Sequence, residues 1–311
     1  MQSHTIHKNC GHFGWDNSLD PILLAKPGDV IEIETVDASG GQINSESDSS
    51  GLNDLDFSKI NPVTGPVFVE GAEPGDAIAV KFLEFAQSDW GWTALIPGFG
   101  LLADEFPEPC LHIWNIDTCS SGPCLFGTGG KIPLKPFCGT VGLALSEPGL
   151  HSVVPPRRVG GNLDIRDNCV GTTLYLPVEV DGGLLSIGDT HAAQGDGEVC
   201  GTAIESPMTV SVEIGLIKSA GFDFPRFETE GPVTRHIDGS GYFIATGIGP
   251  DLMLAVKDSV KGMIDWLCAS QDVSDSEAYM LCSICGDLRI SQIVDLPNWT
   301  VSFYFPKRVF D

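Results

Sequence analysis

Short runs in which apolar and polar residues alternate recur along the chain, each bounded by glycine, proline, asparagine or aspartate. A two-residue period belongs to half-buried β-strands, and the bounding residues belong to turns. Residues 30–35 alternate apolar and acidic positions after the turn Pro27-Gly-Asp29, and residues 77–85 repeat the device after Pro74-Gly-Asp76. Further strands are predicted at 112–116, 139–145, 173–180, 184–189, 209–214, 243–246 and 301–305. The period lengthens to that of a helix only late. Leu252, Ala255, Val256, Val260, Met263, Ile264 and Leu267 mark a helix over 251–269. Ser274-Asp-Ser-Glu277 is a capping box that opens a second helix through Leu288, with a short strand at 290–294 after it. Residues 44–58 are rich in serine and aspartate, lack either period, and read as a surface loop or lid. The expected fold is mainly β, a β-sandwich or barrel-like core with a smaller α/β portion near the C-terminus. It is read as one domain over residues 1–311, with the α/β part at about 215–295.

Composition narrows the function. With 42% hydrophobic residues the chain buries a core, and 37 glycines and 21 prolines agree with many turns. A net charge of −25 repels phosphate backbones and anionic lipid, so neither a nucleic-acid nor a membrane partner is expected. It fits neutral or cationic small substrates and bound cations, and it also serves solubility. No apolar run approaches the ~18 residues of a membrane-spanning helix. The first eight residues, Met1-Gln-Ser-His-Thr-Ile-His-Lys8, carry no apolar secretory core, so a cytoplasmic location and reduced thiols are expected for the ten cysteines. Cys282 and Cys285 form a Cys-x-x-Cys without a partner pair, inside a helical pattern, which argues against a zinc or redox site there. The β faces and the late helices offer surface for self-association, and a homo-oligomer is expected.

The chemistry gathers in a few segments. Side chains two apart on a strand share a face, which pairs Asp189 with His191 at the end of an apolar strand. It also pairs Asn162 with Asp164, if that segment is extended. A glycine-punctuated bend adds Gln194, Asp196 and Glu198, and Glu205 lies just beyond. One imidazole among many carboxylates suits zinc, whereas calcium takes the oxygens. Such ions polarise a carbonyl and generate hydroxide near neutral pH, and a carboxylate left free can move a proton. Two plainer readings compete: Asp-x-His as a turn, and Asp196-Gly-Glu198 as a structural calcium loop in a non-enzymatic β module.

Three segments in order, Gly160-Gly-Asn-Leu-Asp-Ile-Arg-Asp167, Thr172-Thr-Leu-Tyr-Leu-Pro-Val178 and Gly188-Asp-Thr-His-Ala-Ala-Gln-Gly-Asp-Gly-Glu198, resemble the central signature of the acetamidase/formamidase family. The likeness extends over nearly the whole chain. It includes His12-Phe-Gly-Trp15, Asp37-Ala-Ser-Gly-Gly-Gln42, Asn61-Pro-Val-Thr-Gly-Pro66, Val69-Glu-Gly-Ala-Glu-Pro-Gly-Asp76, Glu277-Ala-Tyr-Met-Leu-Cys-Ser283, Asp287 and Val294-Asp295. The resemblance implies a mostly β hydrolase of short linear amides such as formamide or acetamide. It also implies a divalent-metal centre of zinc, calcium or both. Relatives acting on lactams leave the substrate open. The positions that match the motifs and have ligand chemistry are Asp164, Asp189, His191, Glu198 and Glu205. Glu198, Asp164 and His191 are the expected catalytic groups. Asn162, Gln42, His12 and Trp15 are candidates for contact with the amide, although packing roles suit the last three equally.

Other nucleophiles are less well supplied. Cys169 and Cys200 would need an activating lysine, and the nearest, Lys135 and Lys218, are remote in sequence. Neighbouring acids would suppress a thiolate. Ser120-Ser-Gly122 is a thin candidate for a serine nucleophile, and no Gly-x-Ser-x-Gly elbow occurs as a strand–turn–helix.

Overall fold

A computed structural model describes residues 2–119, 122–127, 129–294 and 296–311. Ser120 and Ser121 of the serine candidate, and Asp295 of the last motif, lie outside these residues. The protein is mainly β, as its alternation predicts. One six-stranded sheet runs, edge to edge, Ser3–Ile6, Val30–Glu34, Met208–Ile217, Ala77–Gln87, Thr173–Pro177 and Arg226–Glu228. A second contains Gly160–Asn162, Phe137–Gly142, Leu185–His191, Val63–Val69 and Gly11–His12, with Leu23–Ala25 alongside Val63–Val69. Apolar side chains from both sheets fill one core: Ile31, Ile33, Phe82 and Val212 from the first meet Val67, Val141, Leu185 and Ile187 from the second.

The Pro-Gly-Asp turns work alike. Asp29 accepts the N–H groups of Gln2 (2.7 Å) and Lys26 (3.0 Å), and Asp76 accepts those of Glu73 and Ser219 (both 2.9 Å). Each carboxylate closes its own turn and ties a distant segment to the start of the strand that follows.

The C-terminal part packs helices α1 (Leu252–Ser270) and α2 (Asp275–Cys285) with a three-stranded sheet of Tyr242–Gly249, Trp299–Pro306 and Asp287–Gln292. Asp251 caps α1 through the N–H of Leu254, and Ser274 with Glu277 forms both halves of the capping box on α2. The second helix ends at Cys285 and not at Leu288. Gly286 lies against Phe303, where a Cβ would come within 2.4 Å of the ring, and residues 287–292 leave the helix to pair with 299–306. The short strand is therefore Asp287–Gln292 rather than 290–294.

This part buttresses the segment after His191. Tyr279, Cys282 and Cys285 share a core with Ala192, Ala193, Val199 and Cys200. The Tyr279 hydroxyl donates to the Val199 carbonyl, and the Gly195 N–H donates to the Ser283 carbonyl at 2.8 Å. Residues 44–58 are a packed surface segment, with the 3₁₀ turns Ser49–Asp54 and Phe57–Lys59, and Leu52 buried beside Trp92 and Ile96. All ten cysteines are free. Among the described residues no helix is long and apolar enough to cross a membrane.

Candidate active site

The strand Leu185–His191 lies between Phe137–Gly142 and Val63–Val69, with His191 opposite Phe137 and Gly188 opposite Thr140. Its end carries Asp189 and His191, both buried. The backbone at Asp189 turns to φ 51° and so leaves the regular pleat, yet Asp189 Oδ1 still lies 3.2 Å from His191 Nε2. Glu205 is bridged through its backbone to both Trp92 and His191. It brings Oε2 to 3.0 Å from the same nitrogen, while its Oε1 accepts the Ala203 N–H at 2.8 Å. Asn162 ends its strand opposite Thr140. Asp164 follows at φ 49°, so the two reach the site by a turn and not as an extended pair. Glu198 completes the group from the glycine-rich bend. The ligand atoms of Asp164, Asp189 and His191 fall within 4.8 Å of one another, as do those of His191, Glu198 and Glu205, with the imidazole common to both sets.

Gln194 decides how the imidazole is used. Its Nε2 donates to the Asp164 carbonyl at 2.8 Å, which leaves Oε1 facing His191 Nδ1 at 2.9 Å. Nδ1 therefore carries a hydrogen, and Nε2 of the neutral ring is a lone pair aimed between two carboxylate oxygens. Phe137 meets the ring edge-on at 5.0 Å and fixes its plane. Lone pairs converging in a buried space repel, unless a cation lies among them or the ring takes a second proton. Asp164 Oδ1 and Glu205 Oε2 are buried without a hydrogen-bond donor. At Gly139 a Cβ would fall 2.6 Å from Asp164 Oδ1 and 3.0 Å from Asp189 Oδ2, so bare backbone there admits both acids. One imidazole nitrogen with several carboxylate oxygens, two of them unpaired, fits a divalent cation such as zinc or calcium.

The charges register the same crowding. Burial and the Asp189 carboxylate push Asp164 up to about 7. Burial and the Asp164 carboxylate hold Glu198 well above the usual carboxylate range. Burial also raises Glu205. For His191, burial favours the neutral ring, but Glu205 and Asp189 outweigh it and raise the imidazole well above its ordinary value. A bound cation reverses the penalty on each acid.

A cavity of about 510 Å³ opens onto this cluster. Asn61, Asn162, Asp164, Asp189, Glu198 and Glu205 lie in its wall, together with Leu55, Phe57, Ile60, Trp92, Ile96 and Phe99. Asn61 was not singled out from sequence; its Nδ2 donates to Asp189 Oδ2 at 3.2 Å, and its place before Pro62 in a motif was the available signal. Thr140 was also missed, and it donates to Asn162 Oδ1 at 2.6 Å. Among the described residues six non-glycine positions have φ above zero, and four of them, Asn61, Asp164, Asp189 and Glu198, line this cavity.

Three proposed substrate contacts are committed elsewhere. Gln42 spends its amide on Ser39 and Asp56 and so pins residues 42–56. His12 binds the Gly14 carbonyl and Ser186 Oγ. Trp15 packs with Val63 and Val153. None of the three lines the cavity. Asp196 is exposed, 3.3 Å from Arg166. The cysteine arrangement is not assembled. Burial pushes Cys200 up to about 11, Lys135 pairs with Asp167, and Lys218 pairs with Asp76 at 2.6 Å.

The Acetamidase/Formamidase family model matches residues 1–153 and 150–311. A formamidase from Methylophilus methylotrophus is 30% identical over 367 residues, spanning 96% of this chain and 89% of that protein. An acetamidase from Mycolicibacterium smegmatis is 30% identical over 288 residues, spanning 73% and 69%. Among solved structures, a gamma lactamase from Delftia acidovorans superposes with a TM-score of 0.91 at 26% identity, covering 99% of this chain and 93% of that one. An acetamidase from Bacillus halodurans superposes with a TM-score of 0.69 at 32% identity, covering 98% of each.

Proposed function

This chain belongs to the acetamidase/formamidase family, and from that premise we propose that it hydrolyses the C–N bond of short linear amides to a carboxylate and ammonia at the His191 cluster. The observation that carries the reading is His191 itself, anchored at Nδ1 by Gln194 with Nε2 turned toward buried carboxylates.

An amide carbonyl is deactivated by its nitrogen, and an amide anion is a poor leaving group. A divalent ion held by Asp164, Asp189, His191, Glu198 and Glu205 would supply Lewis-acid polarisation of the carbonyl and lower the pKa of water. The remaining work falls to the chain. The carboxyl of Glu198 lies within hydrogen-bonding reach of Asp164, and burial with the Asp164 charge disfavours ionisation of Glu198. Whichever of these two carboxylates is left free of the ion can accept a proton from attacking water and return one to the departing nitrogen. Asn162 is fixed through Oδ1 by Thr140, which leaves its Nδ2 hydrogens for the substrate carbonyl.

Chelation should abolish ammonia release from acetamide or formamide, and added zinc or calcium should restore it; His191→Ala should remove it. Release that persists through both treatments sinks the reading. The higher TM-score of the gamma lactamase favours a second reading, opening of a cyclic amide. A preference for acetamide or formamide over every lactam tested counts against that one.

A further inference from the structure

Beyond the polar cluster, the cavity wall is apolar, and this sets what the amide must carry. Formamide and acetamide fill a volume comparable to roughly two or three waters, at about 30 Å³ each. The cavity measures about 510 Å³. Leu55, Phe57, Ile60, Trp92, Ile96 and Phe99 form much of the surplus surface, and among the described residues no lysine or arginine lines it. Phe57 and Phe99 are 54% and 45% exposed, so apolar rings at the cavity stand in water until something covers them. Trp92 is held rigid, since its Nε1 donates to the buried Asp37 at 3.0 Å and its backbone pairs with Glu205. The apolar surface is thus joined directly to a residue of the polar cluster.

We propose that the enzyme is selective for neutral primary amides whose acyl group is an apolar body of about five to ten carbons, seated against Trp92, Phe57 and Leu55. The proposal rests on amide hydrolysis at the His191 cluster; acetamide remains a substrate, and the longer apolar acyl group is the preferred one. The acyl side is chosen on chemical grounds. The NH₂ group offers hydrogens that carboxylates accept, so the nitrogen faces Asp164 and Glu198. The acyl chain then extends along the apolar wall. An acyl chain ending in a carboxylate is disfavoured twice, by the clustered acids and by the lack of lysine or arginine among the described residues of the lining.

The test measures kcat/KM for acetamide, butanamide, hexanamide and benzamide, with succinamate as the anionic comparison, on the metal-loaded enzyme. Burial of each methylene should raise kcat/KM about four-fold. Hexanamide and benzamide should therefore exceed acetamide by two orders of magnitude, and succinamate should fall below butanamide. Leu55→Ala and Phe57→Ala should lower the hexanamide-to-acetamide ratio by about ten-fold. A flat or falling series while acetamide is cleaved overturns the proposal and leaves amide hydrolysis standing. Succinamate cleaved as fast as hexanamide also overturns it. No cleavage of any member overturns amide hydrolysis itself, and this proposal with it.

Discussion

Gly139→Ala tests the described geometry with a single methyl group. Gly139 lies within Phe137–Gly142 and outside the left-handed region, so alanine brings no backbone strain there. Its Cβ would stand 2.6 Å from Asp164 Oδ1 and 3.0 Å from both Asp189 O and Asp189 Oδ2. Comfortable carbon–oxygen contacts are about 3.3–3.6 Å. The Asp164 carboxylate must therefore retreat by roughly 0.7–1.0 Å, beyond the ~0.5 Å tolerance of a catalytic constellation. A displacement near 1 Å costs about two orders of magnitude in rate, and crowding of this kind costs about 1–3 kcal/mol of stability. Gly139→Ala should fold, melt somewhat earlier, bind its divalent ion more weakly, and lose about 100-fold in kcat/KM toward a primary amide. Gly249→Ala is the control, because a Cβ there meets nothing within 4 Å. Elemental analysis, thermal denaturation and steady-state ammonia release read the three effects separately. A Gly139→Ala enzyme with unchanged kcat/KM and metal content would refute the placement of Asp164 and Asp189.

Three further outcomes follow from the same contacts. Gln194→Leu removes the acceptor that orients His191 Nδ1 and should weaken metal binding by about 10–100-fold, read by competition with a chelating dye; undiminished affinity counts against that role. Arg166→Met strips the buried, unexposed Asp287 of its forked partner and should cost about 3–5 kcal/mol in urea denaturation, partly recovered in the double variant with Asp287→Leu; a cost below 1 kcal/mol would show the pair to be dispensable. Glu198 is held well above its ordinary value by burial and by Asp164, so in chelated protein its contribution to stability is full below the unfolded carboxylate pKa and fades as pH rises through the folded value. Glu198→Gln should accordingly gain in Tm over the parent as pH rises from 5 to 8, and a gain that shrinks over that range contradicts the assignment.

The strands were legible because burial on one face writes a two-residue period directly into the chain, as at 30–35 and 77–85. The capping box at Ser274 was legible because it is local. The end of α2 was not. Apolar residues continue to Leu288, and the residues that stop the helix are distant: Phe303 against Gly286 and Arg166 against Asp287. The candidate site divides along the same line. Asp189, His191, Glu198 and Glu205 lie within a short stretch whose density is visible in sequence, and the fold brings Asp164 to them from an upstream segment. The cavity wall is contributed by Asn61, Trp92 and Phe57, each far from that stretch. Nothing local marks Trp92 or Phe57 as lining a site, and Asn61 is marked only by its place before Pro62 in a motif. Gln42, His12 and Trp15 sit in motifs and carry suitable chemistry, but hydrogen bonds and packing within the fold consume them.

The left-handed positions explain why so small a group of residues can hold so many acids. A non-glycine residue in that region costs about 1–2 kcal/mol. Asparagine and aspartate tolerate it best, and Asn61, Asp164 and Asp189 are of these types, with Glu198 the exception. An extended strand sends alternate side chains to opposite faces and separates those on one face by two residues. A left-handed residue breaks that rule and aims its side chain where the pleat does not reach. Asp164 can thus meet Glu198 across the cavity although one follows a strand and the other a bend. The same turn leaves Asp189 in reach of both His191 and Asn61. Strain and like-charge repulsion both oppose this assembly, and the cores of the two sheets and of the C-terminal helices hold it in place. A cation relieves the repulsion but not the strain. Replacing the acids by neutral residues should therefore stabilise the metal-free protein, while replacing the surrounding backbone with a relaxed geometry would dismantle the site even with every acid retained.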